Sequence, residues 1–329
     1  MERTDMPEAP PSVDIIVLSW DRVDDTIATI ESALDQVGVE TKVFVVDQGT
    51  REQDLARLRA ACAALPQVTL VCNATNNGVP GGRNQASALG QGEFIVAIDN
   101  DAVFADRDQV ANAVRIARAD PSVAVLGFRI LCYENGRDDE SSWGYPGSVT
   151  ALAAQRFETC RFVGAGHLIR RSAFERVGGY DARLFFMHEE MDLSYRFINA
   201  GYRLVYEPEI RVLHKVSPER RVAWNDGRYY RHIRNCFYIF AKYRVSPFSG
   251  VMPSLSLLIR GFREGYAGAT LRGAGSALLL LPAALRFRWG NPLGRFAPRQ
   301  RERLWQLSGR LKLRDRFPLR ALRLRSSQL

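Results

Sequence analysis

The sequence has few cysteines and no pattern that would join them. Five of them, Cys62, Cys72, Cys132, Cys160 and Cys236, lie far apart with no CxxC. Neither a zinc ribbon nor a disulfide framework is therefore expected, and reduced thiols in a cytosolic compartment fit best. Long apolar runs are also missing. The longest nearly uncharged one, Ala274 to Leu285, is short of the about 20 residues that cross a bilayer. Residues 1–12 carry acids and three prolines but no apolar core, so a signal peptide is not expected there. GxGxxG and P-loop sequences are absent, which removes the usual signatures of dinucleotide and ATP binding. No internal repeat is visible.

A net positive balance is missing from most of the chain. The total is +9, yet Arg286 to Leu329 holds thirteen Lys or Arg against Glu302 and Asp315, a net +11 that leaves the other 285 residues at −2. A body built to wrap nucleic acid would spread its basic residues over the binding face, so nucleic acid is not an expected partner.

What is present describes a globular α/β protein. Hydrophobic residues make up 46% and charged residues 25%, which excludes disorder for the chain as a whole. Apolar, β-branched runs predict buried strands at Val13–Trp20, Thr41–Asp47, Val68–Cys72, Phe94–Ile98 and Val123–Leu131. Helical spacing predicts helices over 22–37, 54–65, 82–89 and 108–119 between them. This alternation predicts a mainly parallel sheet covered on both faces. Residues 132–160 read as a loop. Strands follow at Phe162–Arg170, Arg203–Tyr206 and Ile210–His214, and helices at Ser172–Val177, Glu189–Ala200 and Arg228–Tyr243. From Pro247 onward the pattern is helical, then arginine-rich.

Polar residues follow the strand ends: Asp21, Asp47, Asn73 with Asn76–Asn77, and Asp99 with Asp101. In open α/β sheets, ligands bind in the crevice beyond those ends. Asp99-Asn100-Asp101 sets two carboxylates directly after an apolar strand, suited to Mg²⁺ or Mn²⁺ shared with a ligand's phosphates. An Asx-turn or a helix N-cap explains the same residues. Asp47 is placed to accept hydrogen bonds from a ribose or base, or serves the turn before Gly49. The turn Asn76 to Asn84 is glycine-rich and opens a helix, where backbone N–H groups favour anions and Arg83 can add a contact to phosphate. Backbone geometry alone also accounts for it. His188-Glu189-Glu190-Met191-Asp192 gathers acids in a first helical turn, as capping or as a proton acceptor. His214 is a metal ligand or a structural histidine.

The segments VDIIVLSWDR, VFVVDQGT, NNGVPGGRNQA, VAIDNDAV, GAGHLIRRSAFERVGGYD and FFMHEEMDLSYRFINAGYRLVYEP with its later VLH occur in one order. In that order the chain resembles the inverting GT-A glycosyltransferases of family 2, most of all their rhamnosyltransferase-like branch, over about Val13 to Tyr243. The resemblance implies a Rossmann-like GT-A fold, metal-dependent sugar transfer from a nucleotide-diphosphate donor, and a glycan or polyprenyl-linked acceptor in cell-surface polysaccharide synthesis. It implies Ser19, Asp21, Asp47, Asn77, Gly78, Arg83, Asn84, Asp99 and Asn100 at the donor. It implies Asp99, Asp101 and His214 at the metal, Mg²⁺ or Mn²⁺. Glu190 matches the base position, with Glu189 and Asp192 as alternatives. Trp143, Gly166 and His167 would border the acceptor, although Trp143 and Tyr145 equally suit a loop anchor and the glycines suit tight packing.

The expected organisation is a flexible 1–12, a catalytic domain over 13–245 with a donor half to 131 and an acceptor half after it, and a helical basic extension over 246–329. Leu304, Leu307 and Leu311 recur at near-helical spacing in that extension. Such a basic amphipathic helix can lie on an anionic leaflet, with about 1 kcal/mol per basic residue. This predicts a cytoplasmic enzyme peripheral to the inner face of the cell membrane through 286–325. A solvated helix or an oligomer contact, including a homodimer, explains the charge as well. Rival functions remain. One is a glycosyltransferase acting on a soluble small molecule. A nucleotidyltransferase lacks its Gly-rich, Lys-containing loop, and a non-catalytic nucleotide-sugar or nucleic-acid binding protein is opposed by ordered acids in one crevice, which repel phosphate unless a metal intervenes.

Overall fold

The computed structural model describes residues 10–215, 226–243 and 251–309. One nine-stranded mixed sheet, flanked by helices, organises the described residues, in the order β3-β2-β1-β4-β8-β6-β9-β5 with β7 on β9. Its N-terminal half is the expected parallel array: β1 (Ser12–Ser19), β2 (Glu40–Asp47), β3 (Val68–Cys72) and β4 (Phe94–Asp99). β1, β2 and β4 are continuous apolar runs because helices cover both faces. The intervening helices are α1 (Val23–Leu34), α2 (Glu52–Ala63) and α3 (Gly78–Leu89).

Register then places the functional edge. Ser19 lies opposite Asp47 and Leu18 opposite Asp99, so three strands end together and deliver their polar residues to one rim.

Beyond β4 the sheet changes direction. β8 (Gly166–Arg170) enters antiparallel between β4 and β6 (Val123–Cys132), and β9 (Arg203–His214) runs parallel to β6. The two strands expected around Pro208 are one strand. A register shift opposite Phe128 and Arg129 accommodates the proline and its neighbours, as a bulge does where a ladder donor is missing. Two short strands were not legible in sequence. β5 (Ala102–Phe104) pairs with β9, setting Ala102 opposite His214, and β7 (Phe157–Thr159) lies within the expected loop. α4 (Gln109–Ala119) connects β5 to β6, and a single turn, α5 (Val149–Leu152), precedes β7.

The C-terminal elements are α6 (Arg171–Val177), α7 (Glu189–Asn199), α8 (Asp226–Lys242), α9 (Val251–Arg263), α10 (Ala267–Gly290) and α11 (Pro298–Gly309). α10 is a continuous helix of 24 residues packed against α8. The apolar run seen in the sequence is only its middle, and by length and composition alone the whole helix is apolar enough to cross a membrane. α11 departs from expectation. Leu304 is buried in the body and Leu307 packs on the same core, while the Arg303 guanidinium takes Glu158 at 2.6 Å. Its apolar face is therefore docked on protein. Leu311 and the arginines from 310 onward lie outside the described residues, as do 1–9.

Candidate active site

The metal-type cluster is built by the β4–β5 turn and the end of β9. Because Ala102 pairs with His214, the imidazole comes beside Asp101, with Nε2 3.2 Å from Oδ1. Ligand atoms of Asp99, Asp101 and His214 lie within 4.8 Å of one another. The opposite imidazole nitrogen, Nδ1, is 3.3 Å from Oδ2 of buried Asp139. That carboxylate also accepts from the hydroxyls of Ser141 and Ser142. Nδ1–H bonded to Asp139 would leave Nε2 facing the cluster, which is how carboxylates commonly orient a ligating histidine. Burial works against the charge on His214, but hydrogen bonds to Asp101 and Asp139 raise its pKa to about 10. Burial also opposes Asp101, and His214 and Arg22 more than offset it, holding that carboxyl below its ordinary range. Arg22 contacts Asp101 Oδ2 directly. Neither Asp139 nor Arg22 had a sequence signal. One lies in an irregular loop, and the other reads as an ordinary first-turn arginine.

Across the crevice, Arg83 on α3 is buried and holds three groups at once. Its Nη1 donates to Glu190 Oε1 at 2.9 Å, its Nη2 donates to the Gly164 carbonyl at 2.9 Å, and Nη2 is 3.5 Å from Asp99. A Cβ at Gly164 would stand 2.6 Å from Glu190 Oε1, so glycine there leaves the room the pair requires. The strand expected from Phe162 accordingly begins only at Gly166.

Glu190 keeps a partly exposed side chain facing this crevice, whereas Glu189 is buried with Oε2 unpartnered among the described residues. Burial, and then the Glu190 charge, push Glu189 up to about 8. In the unfolded chain it ionises near 4.5. The folded state therefore binds the proton more tightly and loses stability as pH rises from about 4.5 to about 8. Glu189→Gln is expected to remove that loss. Its melting temperature relative to the parent should climb by a few °C between pH 5 and pH 8.5, and an unchanged difference would contradict the buried neutral acid.

Other expected site residues are turned elsewhere. Asp192 is buried on the far side of α7, paired with Arg196 at 2.9 Å and Lys242 at 2.8 Å, so it is structural and does not reach the crevice. His167 is buried in the sheet between Val163 O and the Tyr180 hydroxyl. Burial, then Arg83, keeps it neutral. Gly166 packs against Phe128, Ile130 and Val212. Trp143 and Tyr145 join Phe157 and Tyr206 in an aromatic cluster. The Trp143 indole N–H donates to Gly147 O, which is the loop-anchor alternative.

On the donor side, Asn84 clips the backbone of Tyr180 through both amide atoms. Arg83 is committed to protein groups and is not free for phosphate. Ser19 and Asn100 both meet Thr26 beneath the crevice, at 3.4 and 3.0 Å. Asp47 accepts from Gly49 N and Thr50 N through Oδ2, while Oδ1 is buried without a partner among the described residues. Asp21 sits at the β1 end with its N–H on Thr50. Asn77 N–H donates to Gln48, and Gly78, at φ +74°, touches Phe185 too closely for any side chain.

A sequence profile described as Glycosyl transferase family 2 matches residues 14–178, half the chain. The chain belongs to this family. Among relatives, a glucosyl-dolichyl phosphate glucuronosyltransferase of Haloferax volcanii is 24% identical over 221 residues, 64% of this chain and 70% of its own. An N-acetylglucosaminyl-diphospho-decaprenol L-rhamnosyltransferase of Mycobacterium tuberculosis is 51% identical, but over only 47 residues, 14% of this chain and 15% of that one. A solved mannosyltransferase from Pyrobaculum calidifontis, in complex with GDP-Man and Mn²⁺, superposes with a TM-score of 0.55 at 20% identity, covering 93% of this chain and 87% of that one. That likeness shows a GT-A-like fold for this glycosyltransferase.

Proposed function

We propose that this glycosyltransferase moves a sugar from a nucleotide-diphosphate donor to a lipid-linked or glycan acceptor, with inversion. The observation that carries the proposal is Arg83, whose guanidinium contacts both Asp99 of the Asp99–Asp101–His214 cluster and Glu190. Two hard carboxylates and one oriented imidazole suit Mn²⁺ or Mg²⁺. Such an ion, when bound, would neutralise a departing diphosphate. Asp47 Oδ1, buried and without a partner among the described residues, is proposed to receive a nucleoside hydroxyl or base. Glu190 would take the proton of an acceptor hydroxyl through the oxygen that Arg83 does not hold. The acceptor oxygen then attacks the anomeric carbon as the bond to the diphosphate breaks on the opposite face. A deoxyhexose such as rhamnose is the donor sugar favoured by the motif order and the short mycobacterial match, and lipid-linked acceptors are in keeping with the relatives' names.

For the membrane, the proposal moves from the arginine tail to the outer surface of α9 and α10. There Leu255, Ile259, Phe262, Leu271 and Leu278 are exposed, and Leu279 is 82% exposed. An apolar surface of this kind suits shallow insertion beside a lipid-linked acceptor. The catalytic unit is proposed to run over 13–245, with the later helices as its membrane-side extension.

Nucleotide sugars screened by thermal shift, with and without Mn²⁺ or Mg²⁺, test the reading. A donor at 100 times its Kd should stabilise the parent by about 2.7 kcal/mol, only with metal, and Asp101→Ala should lose the effect. No stabilisation by any nucleotide sugar would remove the proposal.

A further inference from the structure

A second group of ligating side chains lies apart from the Asp101 cluster, where α8 meets the start of α7. We propose that His188, His232 and Cys236 form a binding site for a soft divalent cation of the zinc class. His188 Nε2 is 2.8 Å from His232 Nδ1, and Cys236 Sγ is 3.4 Å from the first and 3.9 Å from the second. All three ligand atoms fall within the 4.8 Å that one ion can bridge. Zinc bonds of about 2.0–2.1 Å to nitrogen and 2.3 Å to sulfur, at tetrahedral angles, place nitrogens about 3.3 Å apart and nitrogen and sulfur about 3.6 Å apart. The two sulfur distances straddle the required value, and the imidazoles need to part by about 0.5 Å.

The chemistry selects the ion. There is no carboxylate among the three ligands, and a thiol with two imidazoles favours zinc over Mg²⁺ or Mn²⁺. His232 and Cys236 are four residues apart on α8, hence on one face, and Cys236 is buried. On binding, the Cys236 proton leaves to solvent. The imidazole whose facing nitrogen carries hydrogen shifts it to its other nitrogen.

The fold gives the site a purpose. His188 has φ 70° and follows Met187 at 73° and Phe185 at 61°, a run of left-handed backbone that ordinary side chains adopt only when held. Asn235 on α8 already grips it, its Nδ2 lying 2.8 to 3.0 Å from the carbonyls of Leu184, Phe186 and Met187. A cation joining His188 to α8 would pin the same loop two residues before Glu190. The site stands on its own distances and is independent of the donor assignment.

The test isolates this cluster from the other one. Full-length Asp101→Ala, loaded with Zn²⁺ and desalted, should retain about one zinc per chain by plasma mass spectrometry. Asp101→Ala with Cys236→Ser should retain none. Loading with Co²⁺ should give thiolate-to-metal charge-transfer absorption in the parent, absent in Cys236→Ser. No zinc on Asp101→Ala, equal zinc on the double variant, or a cobalt complex lacking the thiolate band would each overturn the site and leave a hydrogen-bonded trio. The cobalt comparison stands even if the double variant does not fold.

Discussion

Glu190→Gln is expected to lower kcat for sugar transfer by about 10² to 10⁴, the range for removing a general base, with the donor KM nearly unchanged. The amide keeps the size of the side chain and can still accept the Arg83 Nη1 hydrogen bond made at 2.9 Å, so geometry is preserved and only proton acceptance is lost. Glu189→Gln is the necessary comparison. Glu189 is 3% exposed and holds its proton to about 8, so its amide should leave kcat within about tenfold of the parent. Steady-state kinetics on both variants decide between neighbours that sequence left open. Full activity in Glu190→Gln would sink the base assignment, and the reverse ranking would move the role to Glu189.

The other large effect concerns stability. Lys242 is 1% exposed, with Nζ 2.7 Å from Asp181 and 2.8 Å from Asp192. Tyr238 donates to the same Asp181 oxygen, and Tyr243 donates to Asp192. Lys242→Ala removes the cation shared by two buried carboxylates, leaving Asp181 with Arg183 and Asp192 with Arg196, a loss toward the lower end of about 3–5 kcal/mol. In a protein of this size that is a fall in Tm of about 4–7 °C. Adding Asp181→Asn should recover part of it, because one of the two buried carboxylates that Lys242 neutralised is gone. A single variant within about 1 kcal/mol of the parent, by denaturant or thermal unfolding, would show that the network contributes little.

Legibility differed by the kind of information a residue carries. β1, β2 and β4 were readable because strands buried on both faces must be apolar without interruption, and their parallel pairing puts Asp47 and Asp99 on one rim. β5 and β7 were not, since three-residue strands gain their identity from β9, more than forty residues away. Asp139 and Asn235 were missed for a related reason. Their partners, His214 and the Leu184–Met187 loop, are brought to them only by the fold. Arg83, Asn84 and His167 each stand next to a suggestive glycine segment, but neighbourhood in sequence does not fix their partners, which are Glu190 and Gly164 O for Arg83, the Tyr180 backbone for Asn84, and Val163 O with the Tyr180 hydroxyl for His167.

The grip of α8 on the Leu184–Met187 loop and on Asp181 and Asp192 bears on how such proteins can be divided and recombined. The matched family profile stops at Gly178, before Glu190, His214 and every α8 contact just described. A fragment cut there would keep the nucleotide-side strands and lose the groups proposed to act on the acceptor. Chimeras exchanging acceptor preference would have to carry Asp181 through at least Lys242 as one inherited block. Since α10 packs along α8, sequence change in α10 and in the Leu184–Met187 loop should be correlated rather than independent.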